Sequence, residues 1–80
     1  MSDERMWLVL AAACDEAGEG GQNPAGEERI HIRMSPTTPM DKREILEHLQ
    51  SLQRRGCTRK EPGMPVWWVT EEGFTQNQRR

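Results

Sequence analysis

Tyrosine is absent from these 80 residues, phenylalanine occurs once, cysteine twice, and only 34% of the chain is hydrophobic. So little apolar material leaves a core of Leu, Ile, Met, Val and three Trp, enough for one small domain over residues 1–80. A chain of this size seldom encloses a substrate pocket, so an exposed binding surface is the expectation. Cys14 and Cys57 are too few for a disulfide framework and read as buried thiols of a reducing cytoplasm. Together with His31 and His48 they form no CxxC or HxxxH spacing, so no metal site is expected. A Cys–His nucleophile would need a third orienting group, which nothing supplies. The carboxylate pairs Asp15-Glu16, Glu27-Glu28 and Glu71-Glu72 are adjacent in sequence and so point apart. No Gly-Lys-Ser/Thr accompanies the glycines of residues 18–26, which removes a phosphate loop. Neither an enzyme nor a cofactor is expected.

Long apolar runs are missing too. The longest, Met6 to Cys14, has nine residues, against the ~20 a helix needs to cross a bilayer. Its Ala-Ala-Ala-Cys ending looks like a lipoprotein cleavage site, but Ser2-Asp3-Glu4-Arg5 before it is net acidic where an export signal is basic. The expectation is a cytoplasmic protein without a membrane segment.

The net charge of −2 hides a partition. Residues 1–28 carry seven acids against Arg5, a balance of −6, and residues 29–80 carry ten cations against six acids, a balance of +4. Such polarity points to a nucleic-acid face on the later part, whereas the sequence pI near 5.6 argues against strong non-specific DNA binding.

Along the chain, residues 2–17 read as a helix capped by Ser2, with Met6, Val9, Leu10, Ala13 and Cys14 on one face and Trp7 and Ala11 widening it. So apolar a helix needs cover from other elements or from a second copy, which makes a homodimer through residues 2–17 a possible assembly. Residues 17–28, rich in glycine, read as a flexible loop. Residues 29–34 alternate strictly, placing Ile30, Ile32 and Met34 on one face of a short strand. A helix over 39–55 follows, with Thr38 as N-cap, Pro39 in its first turn and Asp41 at the capping-box position. Ile45, Leu46, Leu49 and Leu52 form its buried stripe and Gly56 ends it. Residues 57–60 and 65–70 form a hairpin around Glu61-Pro62-Gly63-Met64, and Pro65 suggests an edge strand. In it Trp67 and Val69 face the core while Val66 and Trp68 face outward. Residues 75–80 read as a disordered tail.

Candidate DNA contacts follow from this layout. Arg54, Arg55, Arg59 and Lys60 gather where the helix gives way to the hairpin and suit a phosphate backbone. Lys42 and Arg43 stand at the helix start, and Gln50, with Gln53, can pair with the donor and acceptor edge of adenine. An exposed Trp68 would stack on a base or anchor a protein partner. The alternative is a solvated amphipathic helix with cations at its C-terminal turn, where the helix dipole favours them. DNA binding requires Lys42, Arg43, Arg54, Arg59 and Lys60 to share a face that acids do not interrupt.

Residues 40–73 resemble the C-terminal half of winged helix-turn-helix DNA-binding domains. There a Leu-x-x-Leu-x-x-x-Gly recognition helix leads into a wing that closes on aromatic-x-Leu-Thr-x-x-Gly. Here Leu49, Leu52 and Gly56, then Trp67-Trp68-Val69-Thr70-Glu71-Glu72-Gly73, fill those places. The family has two helices between its first strand and the wing, and only one is evident after residues 29–34. Either residues 27–34 are a short helix despite their alternation, or the 35–39 loop replaces the helix-turn. The resulting expectation is a small α+β, winged-helix-like domain of order helix, strand, helix, β-hairpin. Its function would be that of a bacterial or phage DNA-binding regulator. The alternative is a protein-interaction module, such as a small phage-type inhibitor or accessory subunit, using its acidic N-terminal third and Trp68.

Overall fold

A computed structural model describes residues 3–79; Ser2, the expected first cap, and Arg80 lie outside them. Among the described residues, four α-helices and three short strands follow in the order α1 (Glu4–Ala17), β1 (Ala25–Gly26), α2 (Glu27–Met34), α3 (Lys42–Arg54), β2 (Thr58–Lys60), β3 (Val66–Val69) and α4 (Glu71–Gln78). The strands form one antiparallel sheet of order β1-β3-β2. This small α+β domain is compatible with a winged-helix-like arrangement.

The expected strand over residues 29–34 is instead the helix α2. Ile30 and Met34 are two strand alternations apart but also one helical turn apart, and both are buried, whereas Ile32 is 52% exposed. Gly26 precedes the helix, Glu27 and Glu28 occupy its first turn, and His31 and Arg33 its last, so the charges complement the helix dipole. The element order therefore contains a second helix before α3, and the strand lies upstream of it.

That strand belongs to the segment expected to be a flexible loop. Residues 17–28 hold a 3-10 turn (Glu19–Gly21), then β1, then the start of α2. Ala25 is fully buried and pairs with Trp67. Pairing on this side makes β3 the central strand, so Pro65 introduces a central strand rather than an edge. Its carbonyl accepts from the Glu27 amide (3.0 Å), and having no N–H it stands just outside the ladder.

Helix α1 runs through the core. Met6, Val9, Leu10, Ala12, Ala13, Cys14 and Ala17 are buried against α2, α3, α4, β1 and β3. One chain thus covers most of the apolar surface that suggested self-association. Helix α3 places Ile45, Leu49 and Leu52 in the same core, with Leu46 partly buried beside them. Its N-cap is Asp41, not Thr38: the Asp41 carboxylate accepts from the Glu44 amide (2.8 Å). Gly56, at φ +80°, turns the chain out of α3 in a conformation that favours glycine.

The hairpin forms as the alternation predicts, with Trp67 and Val69 buried. The expected disordered tail is mostly α4. The Thr70 hydroxyl accepts from the Gly73 amide (3.0 Å) as its N-cap and donates to the Gly56 carbonyl (2.6 Å). Thr-Glu-Glu-Gly is therefore a helix start as well as the close of the hairpin.

Candidate nucleic-acid interface

The surface of α3 opposite its buried stripe consists of Arg43, Glu47, Gln50 and Arg54, all exposed. Their spacing of four, three and four residues keeps them on one side of the helix. Three of the seven expected DNA-contacting residues are thus brought together, with one acid, Glu47, among them. The spacing was present in the sequence, and reading α3 outward from its buried stripe identifies Glu47 as a member.

Beside this stripe, the Thr58 hydroxyl donates to the Leu49 carbonyl (3.0 Å) and ties β2 to α3. Arg59 points away from the core and pairs across the strands with Trp68. Its guanidinium stands 5.8 Å from the centre of the Trp68 ring, within cation–π range. Trp68 is half-buried rather than exposed, and its Nε1 donates to Glu61 Oε1 (2.8 Å). It is an anchored platform for Arg59 more than a free aromatic.

The other expected cations are directed elsewhere. Lys60 folds over the hairpin turn and donates to the carbonyls of Glu61 (3.2 Å) and Met64. Lys42 is paired with Glu28 of α2, and this partner holds the Glu28 carboxyl below its usual range. Arg55 donates to Asp3 (3.1 Å) and lies over the Trp7 ring, 5.5 Å from its centre. Lys42, Arg43, Arg54, Arg59 and Lys60 therefore do not form one uninterrupted basic face.

The ion pairs explain where the charge partition goes. Acids of residues 1–28 bind cations of residues 29–80: Asp3 with Arg55, Glu16 with Arg29 (3.4 Å) and Arg33 (2.6 Å), and Glu28 with Lys42. Arg5 reverses the pattern, gripping Glu44 of α3 through two nitrogens (2.6 and 3.1 Å). With His48 (3.0 Å) on the same carboxylate, Arg5 lowers the Glu44 pKa to about 2.

Cys14 and Cys57 are both buried and are not joined in a disulfide. Burial, the neighbouring Asp15 and the Cys57 thiol push Cys14 up to about 11, far from the thiolate a reactive cysteine needs. No group of three or more His, Cys, Asp or Glu able to hold a metal occurs among the described residues. No helix among them is long and apolar enough to cross a membrane. Comparison with protein-family models, curated proteins and solved structures finds no match for the chain.

Proposed function

We propose that the protein binds duplex DNA as a small winged-helix-like regulator of bacterial or phage type, with α3 in or beside the major groove and the β2–β3 hairpin against the backbone. The observation that carries this reading is the α2–α3 helix pair leading directly into the hairpin, the two-helix arrangement that the resemblance requires. Arg43 and Gln50 suit guanine and adenine edges respectively, and Glu47 suits the amino group of cytosine. Arg54 and Arg59 suit phosphates. An acid within the stripe repels the backbone, so this surface favours selective contact over charge-driven affinity.

The test is co-migration of the pure protein with mixed-sequence duplex on size exclusion, at about 50 and 200 mM salt, followed by selection of bound sequences. If Arg54 and Arg59 each meet a phosphate, affinity falls about 12-fold over that range. Arg59→Ala should lower the salt slope by about 1 without unfolding the domain, and an unchanged slope would take the hairpin out of the interface. The second reading, a protein-interaction module, is favoured by the engagement of Lys42, Arg55 and Lys60 within the chain. Absence of co-migration at either salt, together with no enriched sequence, would select it.

A further inference from the structure

The tip of the β2–β3 hairpin is exposed, apolar and stiff. Pro62, Gly63, Met64 and Pro65 all lie at the surface, with Met64 53% exposed. A lone exposed apolar side chain is ordinary; the frame that holds this one is not. The Met64 amide donates to the Glu61 carbonyl (3.2 Å) and the Glu61 amide to the Val66 carbonyl (3.1 Å). These bonds close a turn with proline second and glycine, at φ +76°, third, the type II pattern. Lys60 Nζ donates to the Glu61 and Met64 carbonyls, and Trp68 Nε1 donates to the Glu61 carboxylate (2.8 Å). Pro62 and Pro65 restrict the backbone on either side of Met64. At the base of the hairpin, the bond from Thr58 to the Leu49 carbonyl fixes β2 to α3. The place of the tip relative to α3 is therefore set before any ligand arrives.

We propose that Met64, backed by Pro62 and Pro65, enters between base pairs from the minor groove and kinks the duplex. The protein is then a DNA-bending factor as well as a DNA binder, and the proposal rests on the DNA reading above. A minor groove about 6 Å wide admits an unbranched side chain, and methionine and proline are among the wedges that partly unstack a base step and bend DNA. Unstacking is costly, and a tip already held by its turn and by Lys60 loses little further freedom on insertion. Arg59 lies about 7 Å back along the strand from Glu61, placed for a phosphate that flanks the opened step. One methionine is too little apolar area to anchor a membrane or a protein partner, whereas one side chain suffices to open a base step. Pyrimidine–purine steps such as TA open most readily, so the wedge selects sequence at a position that α3 does not touch.

The experiment uses the full chain and two duplexes. The first is a mixed-sequence duplex of about 100 bp with cohesive ends, shorter than the ~150 bp persistence length and so slow to close into a ring. The protein should speed its closure by ligase about ten-fold or more. The second is a short duplex with 2-aminopurine at a TA step, whose fluorescence should rise as that base unstacks. Met64→Gln should lose both signals and Met64→Leu should keep them. Both variants should retain the parent's melting temperature, because the side chain is exposed, and its salt slope for mixed-sequence duplex, because no charge changes. Binding by the parent without faster closure, or full signals from Met64→Gln, would overturn the wedge and leave the DNA reading standing. No binding by the parent at about 50 or 200 mM salt would overturn both.

Discussion

Gly73 has no room for a methyl group. A Cβ there would run into the Cys57 carbonyl oxygen and lie 2.8 Å from a Val69 methyl, so Gly73→Ala should cost about 1–3 kcal/mol, seen as a lower urea midpoint. The glycine of the wing motif is thus fixed by packing rather than by chain flexibility. Glu44 gives a pH prediction. Its carboxyl is held at about 2 against an ordinary 4.5 by Arg5 and His48, so its contribution to stability is complete above pH 4.5 and fades as pH falls toward 2. The pair is partly solvent-exposed, so solvent screening keeps the effect small. Glu44→Gln should flatten that part of the acid-unfolding curve, and an unchanged curve would show that the pair adds nothing. Trp68→Ala removes a half-buried ring, its bond to Glu61 and the support of Arg59. A loss of about 1–2 kcal/mol is expected, larger than a freely exposed tryptophan would give.

Leu49→Ala tests the α3 packing. Leu49 is fully buried between Ile45 and Leu52, and truncation should destabilise by about 2–5 kcal/mol in denaturant unfolding; a neutral result would mean that α3 packs on another face. This stripe was legible in the sequence because four apolar residues repeat over two turns with a glycine stop. The hairpin was legible because Trp67 and Val69 alternate with Val66 and Trp68 about a Pro-Gly turn. Helix α2 was not legible, since a spacing of four residues satisfies both a strand and a helix and Ile32 supplied a false third member. Strand β1 escaped notice because two residues carry no periodicity; its signal is the partner strand, which is forty residues away in sequence. Helix α4 has few apolar residues to announce it, and its start is marked mainly by the Thr70 cap. At the candidate site the residue types were legible, whereas the fate of Lys42, Arg55 and Lys60 depended on acids and carbonyls that only the tertiary fold brings to them.

Across the whole molecule, the acidic and basic parts of the chain neutralise one another through long-range pairs. If DNA binding is the function, those pairs restrain it. Asp3→Asn combined with Glu28→Gln would release Arg55 and Lys42, and the salt slope for mixed-sequence duplex should steepen by about 2 if both cations then reach phosphates. An unaltered slope would place them away from the DNA. The Thr70 junction has a different reach. Its hydroxyl joins the Gly56 carbonyl at the end of α3 to the Gly73 amide at the start of α4, and its own amide donates to the Cys57 carbonyl (3.0 Å). Fraying of α4 would break the bonds that hold the exit from α3. The last turn of α3 and the first turn of α4 should therefore open as one cooperative unit, their amides exchanging with deuterium at a common rate although some fifteen residues separate them.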